Sequence, residues 1–222
     1  MKIVALVRDC GSFKPRDVRN YVGSIVDEKF KDLAMWHKHA TPELIYVKPF
    51  KNSFEIISPK NDITLISHIA EKIEKNRDFY GKKIEKVFLK NEQFLFPQRG
   101  LTCYSTRTPI IIALNSKEIG ITLACKKNNE MDDLKRYLTH RIESDAEFQI
   151  KEWFGLDLKI NEFAITSISN IKQLFLDYKD GIKFPAITMD FVCNYRLPRF
   201  IGYKIGLGWG EIIEKNLLKG VN

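Results

Sequence analysis

The apolar pattern of residues 1–95 changes period in a set order, and that order constrains the fold more than any single motif. Lys2 to Arg8 (KIVALVR) is a near-continuous apolar run that reads as a buried first strand, and Gly11-Ser12 breaks it. Pro15 suits the first turn of a helix, where its missing N–H costs nothing. Val18, Val22, Ile25, Val26, Phe30 and Leu33 then recur at three- and four-residue steps, which predicts one amphipathic helix over about 15–34. Pro42 disfavours helical geometry at Thr41, so Trp36 to Pro42 reads as loop. Residues 44–47 and 53–58 look like two strands joined around Pro49 to Asn52. Asp62 opens a second helix with Ile66, Ile69 and Ile73 on one face, and the lysine-rich stretch 82–94 reads as a further strand.

The resulting order is β-α-β-β-α-β, the split βαβ (ferredoxin-like, RRM-like) pattern of an antiparallel sheet with two helices on one face. A length of roughly 95 residues suits one such module. Phe96 to Gly100 (FPQRG) reads as a linker, after which a second α+β pattern begins. Strands are expected at 109–115 and 119–125, and a long helix capped by Asn129 comes next. Met131, Leu134, Leu138, Ile142, Ala146, Ile150 and Trp153 form its apolar stripe, and Gly155 ends it. Further strands are expected at 156–165, 187–193 and 211–214. The expected architecture is α+β: two tandem ferredoxin-like modules with antiparallel sheets, spanning 1–95 and 96–222.

Composition narrows the partners. The chain carries a formal net charge of +8 and has a pI near 9.2, which favours a polyanion, because lysine and arginine gain affinity by displacing counterions from phosphates. No apolar run approaches the ~20 residues that span a bilayer, so no membrane partner is expected. Cys10, Cys103, Cys125 and Cys193 are scattered without a CxxC pair, which argues against a zinc site or a redox motif. The expected setting is the cytoplasm, with reduced thiols and without a cofactor.

Four glycines fall between Gly202 and Gly210: Gly202, Gly206, Gly208 and Gly210. Arg196 and Arg199 precede them and Lys204 lies among them. Glycines let a backbone approach a phosphate and aim N–H groups at it, and the interleaved Tyr203 and Trp209 can stack on bases. A strained turn with close backbone packing is the alternative. The segment is neither a P-loop, for want of a following Gly-Lys-Ser/Thr, nor a dinucleotide loop, since it does not open a helix.

The segment from Pro198 to Gly210 (PRFIGYKIGLGWG) resembles the glycine-rich signature loop of the RAMP superfamily. It is most similar to that of the CRISPR-associated endoribonucleases that process precursor CRISPR RNA. The resemblance implies two ferredoxin-like modules in tandem, a glycine loop near the C-terminus and a catalytic histidine just after the first helix. It implies CRISPR repeat RNA as substrate, with the protein a monomer or homodimer, alone or with a CRISPR effector complex. One departure stands out: Lys204 occupies the place of the second glycine in the first Gly-x-Gly.

His37 and His39 lie where that histidine is expected. Histidine titrates near neutral pH, so one can deprotonate a ribose 2′-OH while another protonates the leaving 5′-oxygen. In an extended chain, positions i and i+2 face the same side, so both imidazoles can address one phosphate. Lys29, on the preceding helix, can stabilise the phosphorane charge, and Tyr46, on the next strand, can contact the phosphate or orient a histidine. Structural readings stand beside these: Lys29 as a helix-edge lysine and Tyr46 as strand packing. A solvated histidine pair, or a His-x-His metal site lacking further evident ligands, is the rival for His37 and His39. His68 and His140 are expected to be exposed on polar helix faces. A non-catalytic RAMP subunit or RNA-binding module is the alternative function.

Overall fold

β1 (Lys2–Val7) is the centre of the first sheet because its alternate residues serve two faces. Ile3, Ala5 and Val7 are buried and belong to the main core cluster of this part of the chain. The computed structural model describes residues 1–35, 42–92, 97–112, 131–179 and 182–215. The chain forms two compact units: Met1–Phe94 with Gly206–Gly208, and Leu95–Ile205 with Trp209–Asn222.

In the first unit β1 is followed by α1 (Pro15–Ile25), α2 (Glu28–Met35), β2 (Ile45–Tyr46), β3 (Ser53–Ile57), α3 (Ile63–Lys75), β4 (Asp78–Phe79) and β5 (Lys82–Lys90). The sheet order is β2-β3-β1-β5-β4, and all its pairings are antiparallel. Val4 sits between Glu55 on one side and Phe88 on the other. The helices bury Val18, Tyr21, Val22, Leu65, Ile66, Ile69 and Ile73 against Phe54, Ile56, Phe79 and Ile84. Each such apolar side chain contributes ~1.5–3 kcal/mol by leaving water. Pro15 stands at the first position of α1, and the Asp17 carboxylate accepts from the Lys14 N–H at 2.7 Å. Asp62 caps α3 by accepting from the Leu65 N–H at 2.9 Å.

The single helix expected over 15–34 is two. Val26 is extended (φ −78°, ψ 152°), and Asp27 restarts the chain with its carbonyl accepting from the Phe30 N–H at 2.9 Å. Aspartate favours helix starts over interiors, and here its carboxylate also meets Lys72 and His68 of α3. His68 is therefore half-buried, not exposed: its ring lies 4.4 Å from that of Phe30 and 3.5 Å separates Nε2 from the Asp27 carboxylate. His140 is exposed as expected.

The second unit runs β6 (Gln98–Thr106), β7 (Ile110–Ile111), α4 (Met131–Phe154), β8 (Ile165–Lys179), β9 (Ile182–Arg196) and β10 (Ile212–Lys215). Cys193, Val192, Phe191 and Asp190 each pair with both β6 and β8, so these strands flank β9 on opposite sides. The order is thus β10-β6-β9-β8, with β7 continuing the β6 side through Ile110↔Ile187. Both sheets therefore follow the order of the split βαβ unit. Leu134, Leu138, Ile142 and Ala146 of α4 pack into the core with Met189, Phe191 and Cys193. Gly155 (φ +67°) ends α4 in the left-handed conformation, its N–H donating to the Lys151 carbonyl at 2.8 Å.

Three expectations change here. The stretch 96–100 is not a linker throughout, because β6 begins at Gln98 and pairs it with Arg196. Leu156 to Ala164 forms no strand; β8 starts at Ile165 and runs to Lys179. β9 is also longer than the 187–193 expected. The strand expected at 119–125 and the Asn129 cap lie outside the described residues.

Candidate functional site

The first part of the site is the C-terminal end of α2, which leads into the histidine pair. Tyr46 is fully buried, and its hydroxyl donates to the Ala34 carbonyl at 2.6 Å. Burial pushes its phenol well above the ordinary tyrosine range, so it stays protonated. Tyr46 thus ties the last turn of α2 to β2, just ahead of the sequence stretch that carries His37 and His39. Those two histidines lie outside the described residues. Lys29 is exposed in the first turn of α2, its Nζ 5.0 Å from the centre of the Phe30 ring. The structure brings Tyr46 to the core, whereas Lys29 faces solvent.

Gly206–Gly208 belongs to the same unit. A Cβ added at Gly206 would stand 2.9 Å from the Pro42 ring, and one at Gly208 would collide with the Tyr46 carbonyl and lie 3.2 Å from Lys48 N. Gly208 is also left-handed (φ +72°). Two independent demands, close backbone approach and positive φ, require glycine there. The glycine-rich segment therefore meets Pro42 to Lys48, the stretch entered directly from the histidine pair.

The rest of the segment lies in the second unit. Gly202 (φ +89°) leaves room for Ile110 and the Ile111 carbonyl, which a Cβ would approach to 2.7 and 2.9 Å. Gly210 (φ +74°) has the Ile201 carbonyl where a Cβ would be. Lys204 is left-handed as well (φ +59°). The position where the resemblance calls for glycine thus keeps a glycine-like backbone while carrying a lysine, at a cost of roughly 1–2 kcal/mol. Tyr203 is held by its N–H on the Ile111 carbonyl at 3.1 Å and by the Arg141 guanidinium stacked 3.8 Å from its ring centre. Tyr203 and Trp209 pack against Ile111, Phe184 and Ala186, so at least part of each ring serves the core.

The two arginines differ. Arg196 pairs with Glu214 at 3.1 Å, both about half exposed. Arg199 turns inward to Glu211, which is fully buried and also receives Arg107. Sequence reasoning missed Arg107, Glu211 and Arg141. A charged residue within an otherwise apolar stretch, as Glu211 is between Trp209 and Ile212, was the available signal for a buried partner.

No protein-family model and no curated protein sequence matches the chain. Solved structures do. A Cas6b crystal structure superposes with a TM-score of 0.64 at 16% identity, covering 97% of this chain and 100% of that one. A RAMP protein described as binding different RNA substrates gives 0.60 at 16%, again over 97% and 100%. A Cas6 product complex gives 0.62 at 10%, over 96% and 98%. At these identities the likeness is one of fold. The resemblance carried by a short glycine-rich segment thus extends along nearly the whole chain, whose fold is that of the Cas6 endoribonucleases and RAMP proteins.

Proposed function

We propose that this protein is a metal-independent endoribonuclease that cuts precursor CRISPR RNA within its repeats. The observation that carries the proposal is the packing of Gly206–Gly208 against Pro42 to Lys48. It joins the two motifs that the sequence holds far apart, because Pro42 comes shortly after the His37-Lys38-His39 stretch.

In the proposed reaction one of His37 and His39 takes the proton of the ribose 2′-OH. The 2′-oxygen attacks the adjacent phosphorus, and the P–O5′ bond breaks. The other histidine protonates the departing 5′-oxygen. The products are a 2′,3′-cyclic phosphate and a 5′-hydroxyl. Each proton transfer typically contributes 10²–10⁴-fold. Lys29 supplies positive charge toward the phosphorane. Tyr46 acts by holding the last turn of α2, since its own hydroxyl is bonded to Ala34. The glycine segment, with Arg196, Arg199 and Lys204, binds the RNA backbone. The catalytic residues belong to the module of residues 1–95 and the binding loop to that of 96–222.

The test is incubation of the purified protein with its host's repeat RNA in chelator, with both ends of the products then mapped. A cyclic phosphate and a 5′-hydroxyl are expected. Bound but uncut RNA would favour a non-catalytic RAMP subunit, and activity abolished by chelator would favour a metal hydrolase.

A further inference from the structure

We propose that Arg107 and Arg199 form a binding site for one RNA backbone phosphate, held in shape by the buried carboxylate of Glu211. The inference rests on the RNA-binding reading above and names a specific site within it.

Arg107 lies just beyond β6, Arg199 at the start of the glycine segment and Glu211 at its end. Backbone bonds fix all three. The Glu211 carbonyl accepts from the N–H groups of Arg107 (2.8 Å) and Thr108 (3.2 Å). Its own N–H donates to Thr108 Oγ1 at 2.8 Å. The Arg199 carbonyl accepts from the Ile212 N–H at 2.8 Å. One carboxylate oxygen, Glu211 Oε1, then receives Arg107 Nη1 at 3.0 Å, Arg199 Nε at 3.0 Å and Arg199 Nη2 at 2.7 Å.

The charges of this trio do not cancel. A buried carboxylate needs one guanidinium to be neutralised, and the second leaves an excess positive charge. The burial is asymmetric too. Glu211 is 0% exposed, while the Arg107 and Arg199 side chains are 28% and 24% exposed. The anion is inside and the cations reach the surface. Arg196 and Glu214, by contrast, pair one to one in the same unit, near 45% exposure each.

A phosphodiester fits what remains. It carries a single negative charge and presents two non-bridging oxygens to planar guanidinium forks. A free surface arginine loses rotamer freedom when it binds; these two have already lost it on folding. Glu211 never touches the RNA in this scheme and acts as a positioning residue.

The experiment is the salt dependence of repeat-RNA binding for the wild type, Arg107→Gln, Arg199→Gln and the double variant. Removing one arginine alone also weakens the pairing of a buried carboxylate. Each substitution is therefore repeated in the Glu211→Gln background, and thermal unfolding checks the fold. Either single substitution should lower the slope of log K against log salt by about one. The double variant should lose the same single unit, because the two side chains share one phosphate. Unchanged slopes in folded variants of an RNA-binding protein would overturn the site. A loss near two in the double variant would overturn the shared phosphate. A wild type that binds no RNA would overturn the RNA-binding reading, and the site with it.

Discussion

The two sheets close the same topology in different ways. In the first unit the connection from β3 to β5 runs through α3, thirteen residues capped by Asp62 and anchored by Leu65, Ile66, Ile69 and Ile73. In the second unit the corresponding connection, Leu197 to Glu211 between β9 and β10, contains no α-helix. It has one short 3-10 turn, Ile205–Leu207, and left-handed residues at Gly202, Lys204, Gly208 and Gly210. A helix consumes its own N–H groups and presents side chains. A glycine-rich connection brings the backbone itself to its neighbours. Some of that backbone is used internally: the N–H groups of Ile201, Tyr203 and Gly210 bond the carbonyls of Gly210, Ile111 and Pro109. The helical crossover is built for packing, whereas the glycine crossover is built for close approach.

The largest effects should come from the histidines. Alanine at His37 or His39 should slow cleavage by about 10²–10⁴-fold while RNA affinity stays near wild type. Single-turnover rates alongside filter binding measure both, and near-normal cleavage by the double variant would move the chemistry elsewhere.

Glycine substitutions sharpen the contrast between crossovers and ordinary turns. Gly210→Ala drives a methyl into the Ile201 carbonyl, whereas Gly81→Ala, in the β4–β5 turn at φ +79°, meets nothing within 4 Å. The first should cost at least ~3 kcal/mol and the second only ~1–2 kcal/mol of left-handed strain. Equal losses in denaturant unfolding would show that the tight packing at Gly210 carries no weight.

Tyr46→Phe removes a buried hydrogen bond and leaves the Ala34 carbonyl without its hydroxyl partner. A stability loss of ~1–2 kcal/mol is expected. Any loss of cleavage rate should be smaller than that of the histidine variants. A large rate loss with unchanged unfolding would instead give the phenol a direct chemical role.

The smallest effect concerns pH. Hydrogen bonds from Lys215, Ser105 and Asn170 hold the Asp190 carboxyl down at about 2. A carboxyl lowered in the folded state adds stability above its unfolded pKa near 4, and this is lost as pH falls through about 2. Asp190→Asn should therefore flatten the acid limb of the unfolding curve. An unchanged acid limb would mean these bonds do not persist in solution.

Where the sequence spoke clearly, local chemistry and tertiary context agreed. Lys2–Val7 is apolar enough to be central, and Asp62 both caps and precedes a clean 3.6-residue stripe. It misled where tertiary partners set the boundary. Val26 and Asp27 continue the apolar period of α1, yet the Asp27 carboxylate is engaged by Lys72 and His68 from α3. β8 escaped because its register shifts between Ser169 and Lys172, with Asn170 left-handed at φ +52°, which breaks the two-residue alternation. In the site, the glycines and arginines could be read from their spacing. Arg107 could not, because its partner Glu211 lies 104 residues away.

The central claim is that the 2′-OH is the nucleophile, and one substrate atom tests it. A repeat RNA with a single 2′-deoxy nucleotide just 5′ of the scissile phosphate should bind nearly as tightly as the all-ribose RNA. It should remain uncut, even with magnesium present. Binding and cleavage are measured on the same preparation, because the 2′-OH also contributes to RNA recognition. Cleavage of the bound deoxy substrate, or products bearing a 5′-phosphate, would contradict the account.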